Sequence, residues 1–334
     1  MKVIRHRNYV AAESLLSDAL ANHRPGRLIA VGGIAGAGKT TLVNAGIRSE
    51  VGMPHLWGTG KLAVTQVMAL QDLNSRFSSK GFAARAHRSL LRPHLWPLFR
   101  DAEDAILPEY RESLRKAKKA WPLTSYGTSL TETNHWENFV DCAIDRELRY
   151  FVVEHAASIA VVRKDESESD HIQNLMSVLE AVGAMGVLKV VPSGARLWEG
   201  RPEIRDRMDI IFIEPYALEV REDLNEFAAI VMELAAEFEF EDAWVYQDKI
   251  LDIGFATGTS IRAIKTLFRS AAASARNAGR EKISTQDIAL AIPTAAHVEK
   301  IWASVKLLDQ ARASASSDEL RRLHANYLNN KLQH

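Results

Sequence analysis

The stretch GGIAGAGKTTLVNAGI, directly after the apolar run LIAV, constrains this chain more than any other. Gly33, Ile34, Ala35, Gly36, Ala37, Gly38, Lys39 and Thr40 spell G-x-x-x-x-G-K-T, and Thr41 follows. Glycines in a turn from strand to helix allow positive φ and close backbone approach, so successive amides can point inward at a β-phosphate. A helix opening near Lys39 adds its positive N-terminal dipole. Lys39 is placed to reach the β- and γ-phosphates, and the Thr40 hydroxyl to ligate Mg²⁺. The expected ligand is therefore ATP with Mg²⁺.

A loop of this kind needs a buried strand before it and a helix after it, and the chain supplies the pattern. Short apolar runs at Arg27 to Val31, Leu62 to Ala69, Arg149 to Val153, Val187 to Val191 and Asp209 to Glu214 alternate with helical periodicity. That alternation predicts an α/β fold, a P-loop NTPase domain of three layers around a largely parallel sheet. After EPYAL the pattern changes. Leu224, Phe227, Val231, Leu234 and Phe238 recur at helical spacing, and further helices are expected at Ala243 to Ile253, Ser260 to Ala278, Ser284 to Ala291 and Val298 to Ala313. Ser284 and Asp287 have the spacing of a reciprocal helix cap. The expected division is a nucleotide-binding domain over 1–217, a helical lid over 218–295, and a C-terminal helix with a polar tail over 296–334.

Composition narrows the setting. Lys plus Arg (42) equal Asp plus Glu (42), so contact with nucleic acid has to come from a local patch. The single cysteine, Cys142, excludes an intrachain disulfide framework, and the sequence carries neither a secretory h-region nor an 18-residue apolar span. A cytoplasmic protein with no membrane contact is expected.

In nucleotide hydrolases of this architecture a second strand ends in an Asp that holds the metal's water shell, often followed by a Glu that activates the attacking water. Here YFVV ends in Glu154-His155. Glu154 is a candidate metal ligand, one methylene longer than Asp. His155 polarises water only when neutral and lacks a carboxylate's fixed charge. Asp165, Glu166 and Asp170 are alternative carboxylates in a charged loop. Ser193 stands after the fourth strand, where a polar group would sit beside the γ-phosphate. Arg205 and Arg207 are candidates for an arginine that reaches a neighbouring subunit's nucleotide. Arg262, at the start of a lid helix in GTSIRAIKTLF, is placed to lean onto the nucleotide.

In this order the pieces resemble the AAA+ ATPases of transposition, the TniB/TnsC family, with IstB and MuB more distant. The resemblance is carried by GIAGAGKTTL, RFSSKGFAARAHRSLL, WENFVDCAIDRELRYFVVEHAASI, KVVPSGARLWEGRPEIRDRMDIIFIEPYAL and the lid segment with GTSIRAIKTLF, over roughly residues 28–293. The family's second strand ends Asp-Glu-Ala and its fourth in a Gly-Thr turn, where this chain has Glu154-His155 and PSG. The resemblance implies ATP-driven assembly into a homo-oligomeric ring or filament on duplex DNA, linking a TniQ-like target selector to a TnsB/TniA-like transposase. The departures imply slow or absent hydrolysis. For DNA, Arg85, Arg88 and Arg92 form one basic stretch, with Lys80, Trp96, Phe99 and Arg100 nearby; Arg111, Arg115, Lys116, Lys118 and Lys119 form another. The alternative is a nucleotide-gated signalling or defence switch that acts through protein partners without DNA.

Overall fold

A computed structural model describes residues 4–73, 75–99, 130–162, 167–313, 316–322 and 324. Five short strands form one parallel sheet: β1 Leu28–Gly32, β2 Val64–Met68, β3 Tyr150–Glu154, β4 Met185–Val190 and β5 Met208–Phe212, in the order β2-β3-β4-β1-β5. Every residue of β1 and β4 is buried, which is why LIAVG and MGVLKV read as continuous apolar runs with one exception, Lys189. Each fully buried Val, Leu or Ile contributes about 1.5–3 kcal/mol over an exposed one.

Helices cover the sheet. Arg7–Ala21 lies against Lys39–Val51, the helix that follows the glycine-rich loop, and Ser79–Leu91 packs on Glu132–Asp145. The latter opens on a reciprocal cap between Thr131 and Asn134. One hydrophobic core runs through this α/β part, and a second, from Tyr216 and Leu218 to Ile283 and Ile288, belongs to the helices after β5. The helical part comprises Arg221–Ala235, Trp244–Gln247, Ile250–Thr257, Ile261–Asn277, Thr285–Ala291 and Ala295–Arg312. The single helix expected over Ala243 to Ile253 is two short ones, interrupted at Asp248 and Lys249. Ser284 and Asp287 do form the reciprocal cap, and both oxygens of the buried Asp287 also accept from Arg280, at 2.7 and 2.9 Å.

The C-terminal helix Ala295–Arg312 returns to the α/β part. Its Val305 and Leu308 enter the α/β core, it lies on the turn Pro192–Gly194, and its Trp302 indole donates to the Phe255 carbonyl at 2.8 Å. Among the described residues no helix is long and apolar enough to cross a membrane.

Candidate nucleotide site

β1 lies between β4 and β5, strands far away in sequence, and the chain leaves its carboxyl end into the loop Gly33–Gly38. A crevice outside the carboxyl ends of parallel strands is where such sheets bind ligands. A cleft of about 870 Å³ opens there. Its floor is residues 35–41; one wall carries Met68, Glu154, His155 and Lys189 from the strand ends, the other Leu234, Glu237, Ile261, Arg262, Lys265 and Arg269 from the lid, with Ile4 and Tyr9 closing one side.

The loop's shape rests on two glycines in the left-handed region. Gly36 has φ 84° and Gly38 φ 101°. A Cβ on Gly36 would meet Ser260 Oγ at 2.5 Å and Arg262 Cβ at 2.6 Å, so the lid presses directly on the loop. The Ser260 hydroxyl also donates to the Ala35 carbonyl at 2.9 Å. Helix Lys39–Val51 starts after Gly38 with no side-chain cap. Its first amides thus lie at the cleft floor without a side-chain partner, the arrangement that receives a phosphate. The Lys39 ammonium donates to the carbonyls of Gly33 (2.7 Å) and Ile34 (2.8 Å) within the same loop. Burial, reinforced by the neighbouring Arg262 charge and opposed by Glu154, lowers its pKa to about 8.

The acidic wall differs from its expected role. β3 and β4 run in register, Val153 beside Leu188, which sets Glu154 beside Lys189 one step further on. Lys189, 3% exposed, lies 2.6 Å from Glu154 Oε1 and 3.0 Å from Asn44 Oδ1. The same Oε1 accepts from Gln66 on β2 at 2.7 Å. Glu154, expected as a ligand of Mg²⁺, has therefore one oxygen doubly hydrogen-bonded and its charge offset by a buried ammonium. Thr40 lines the cleft as a metal ligand should; a metal at Glu154 would compete with Lys189 for the carboxylate. His155 caps a 3₁₀ turn at φ 55°, a left-handed conformation His tolerates better than most residues, and stands exposed at the cleft rim.

The structure brings Gly36, Ala37, Gly38, Lys39, Thr40, Thr41, Glu154, His155 and Arg262 together around one cleft, with Gly33 just behind its floor. It does not bring Ser193 there: that residue is exposed on the turn Pro192–Gly194 and is not part of the cleft lining. The polar group that β4 delivers is Lys189, from inside the strand. Arg205 and Arg207 precede Met208, which pairs with Leu28 at the start of β1, so they sit at the opposite end of the sheet from the loop. Arg207 pairs with Glu180 at 2.7 Å, and Arg205 donates to the Met208 carbonyl at 3.3 Å. Asp170 pairs with Arg201 away from the cleft, while Asp165 and Glu166 lie outside the described residues.

Of the basic residues expected on DNA, Arg85 is turned inward, half-buried, donating to the carbonyls of Met68 (3.1 Å) and Leu70 (3.4 Å). Arg88 and Arg92 are exposed, as are Lys80 and Trp96. Arg100, Arg111, Arg115, Lys116, Lys118 and Lys119 lie outside the described residues.

No family model matches the chain, and no curated protein does. Solved structures match by shape. One is the Aeropyrum pernix ORC2 protein in ADPNP-ADP complexes, at TM-score 0.50 and 13% identity over 85% of this chain and 66% of that one. Its ADP form matches at 0.51 and 14%, over 87% and 70%. The Walker-type ATPase PABY2304 of Pyrococcus abyssi gives 0.48 and 11%, over 95% and 76%. This chain thus spans about two thirds of the length of the ORC2 protein. At such identities the likeness is one of fold alone: an α/β domain built on a parallel five-stranded sheet with the glycine-rich loop at the carboxyl end of β1, followed by a helical part.

Proposed function

We propose that this protein binds ATP as an assembly ligand, and that its assemblies form on duplex DNA as those of the TniB/TnsC regulators of transposition do. The observation that carries the reading is the asymmetry of the cleft. Its phosphate-binding half is complete, with the G-x-x-x-x-G-K-T loop, a bare helix start and Lys39, whereas its hydrolytic half carries His155 and a Glu154 engaged by Lys189.

The chain's own residues account for binding. The amides at the start of helix Lys39–Val51 receive the phosphates, Lys39 gives up its loop carbonyls for them, and Arg262 approaches from the lid. Ile4, Tyr9, Leu234 and Ile261 offer apolar surface for the base at the side of the cleft. A divalent metal on the phosphates would supply charge neutralisation, with the Thr40 hydroxyl placed to hold it. Activation of water falls to His155, and loss of a well-placed carboxylate base typically costs on the order of 10²–10⁴-fold. Turnover is therefore slow.

The ORC2 neighbour was solved with ADPNP and ADP, which supports nucleotide binding in this chain. In this reading the exposed Lys80, Arg88 and Arg92 contact phosphates without reading bases, repetition of subunits multiplies a modest patch into firm binding, and the partners are a TniQ-like selector and a TnsB/TniA-like transposase. Electron microscopy of the full chain with duplex DNA and ATP or a non-hydrolysable analogue tests it. Rings or filaments that need nucleotide, and that Lys39→Ala abolishes, are expected; particles that stay monomeric and ignore DNA in every nucleotide state would overturn the reading. His155→Glu is expected to raise ATP turnover by about tenfold or more. A wild-type turnover above about 1 per second, the ordinary enzymatic range, would contradict the slow-hydrolysis part.

A further inference from the structure

Resting on nucleotide binding at this cleft, we infer that Lys189 is a resident cation of the site, so that the protein holds ATP almost as well without a divalent metal as with one. Lysine near the carboxyl end of a buried parallel strand is costly unless its charge is paired or used. Here the ammonium is fixed between Asn44, on the helix that follows the phosphate loop, and Glu154, at the cleft wall, at 3.0 and 2.6 Å. Lys189 itself lines the cleft beside Lys39 and Thr40.

Two consequences follow from that position. First, a divalent ion bound through Glu154 would have to displace the ammonium or lie next to it, and like charges a few ångströms apart in a partly buried site repel strongly. Secondly, the cleft does not lack positive charge. Its lining carries five Lys and Arg side chains against two Glu; with Lys189 paired to Glu154 and Lys265 to Glu237, Lys39, Arg262 and Arg269 supply the excess of three positive charges while Lys189 occupies the carboxylate a metal would use. A triphosphate carries three to four negative charges, so the protein supplies most of the neutralisation that a metal ordinarily brings. Gln66, donating to the same Glu154 oxygen at 2.7 Å, keeps the carboxylate turned toward Lys189.

The test is a fluorescence titration of the full chain with N-methylanthraniloyl-ATP, in Mg²⁺ and in EDTA at constant ionic strength. Wild-type affinity is expected to change less than threefold between the two. Lys189→Met is expected to weaken binding in EDTA and to restore metal dependence to tenfold or more, since Glu154 is then released. A wild-type protein that binds in Mg²⁺ and loses more than tenfold in EDTA overturns the resident cation and leaves the nucleotide site standing. Failure to bind in either condition removes both. The wild-type comparison needs no variant, so the proposal stays testable if Lys189→Met does not fold; Lys189→Arg, which retains a charge, is expected to keep the wild-type ratio within about threefold.

Discussion

At the scale of single residues, a lysine and three histidines with lowered pKa values give the protein a pH signature. Burial holds Lys39 near pKa 8, and phosphates bind its charged form. ATP affinity is therefore expected to fall as pH rises above 8, by up to tenfold per unit, and Lys39→Arg to flatten that slope because guanidinium stays charged. Nucleotide titrations between pH 7 and 9.5 check this. His6 is the opposite kind of handle. Buried against Tyr216, whose hydroxyl lies 2.9 Å from its Nδ1, it is pushed down to about 4 by loss of solvent. Between that value and the ordinary 6.5 the unfolded chain binds the extra proton, so stability is lost as pH falls through this window. His87 and His135 are lowered for the same reason and act in the same direction. The share belonging to His6 is the part of the acid-induced fall in Tm between pH 6.5 and 4 that disappears in His6→Gln.

Among elements, the lid owes its order to caps as well as to its core. Asp287 is 1% exposed and accepts from Arg280 and from both the amide and the hydroxyl of Ser284. Asp287→Ala removes a cap and leaves the half-buried donors of Arg280 and Ser284 without their acceptor, so a loss of about 1–2 kcal/mol is expected in urea unfolding. That cap was legible because its signal is local, a Ser and an Asp three positions apart. The strands were legible for a similar reason: all five lie within three residues of the apolar runs, the central β1, β3 and β4 because both their faces are buried. The phosphate loop announces itself in eight contiguous residues. Lys189 does not. Its meaning arises from the parallel register that brings it beside Glu154, a residue 35 positions earlier, and register is a property of the sheet, not of VLKVV. The available hint was a lysine inside an otherwise apolar strand. Ser193 attracted attention by chain position alone, but the strand ends three residues before it and the turn carries it out of the cleft. Arg85 lies on a basic stretch whose helix turns one face inward, and the carbonyls at the exit of β2 take its guanidinium.

For the whole molecule, the two ends of the sheet have different prospects. The cleft occupies one end, while Arg205 and Arg207 are at the other, out of reach of their own subunit's cleft. If assembly brings the far end of one copy to the cleft of the next, Arg205→Ala should leave N-methylanthraniloyl-ATP affinity of the dispersed protein within about twofold of wild type. It should also weaken ATP-induced assembly, read by sedimentation. Equal assembly in the variant would assign Arg205 a purely local role. The hydrogen bond from Ser260 to Ala35, and the lid backbone pressed against Gly36, have a mechanical meaning here. The helical part touches the phosphate loop at Ala35 and Gly36, and the C-terminal helix packs back into the α/β core. A change in the loop on phosphate binding would therefore be passed first to the start of helix Ile261–Asn277, the point where the two parts touch at the nucleotide site.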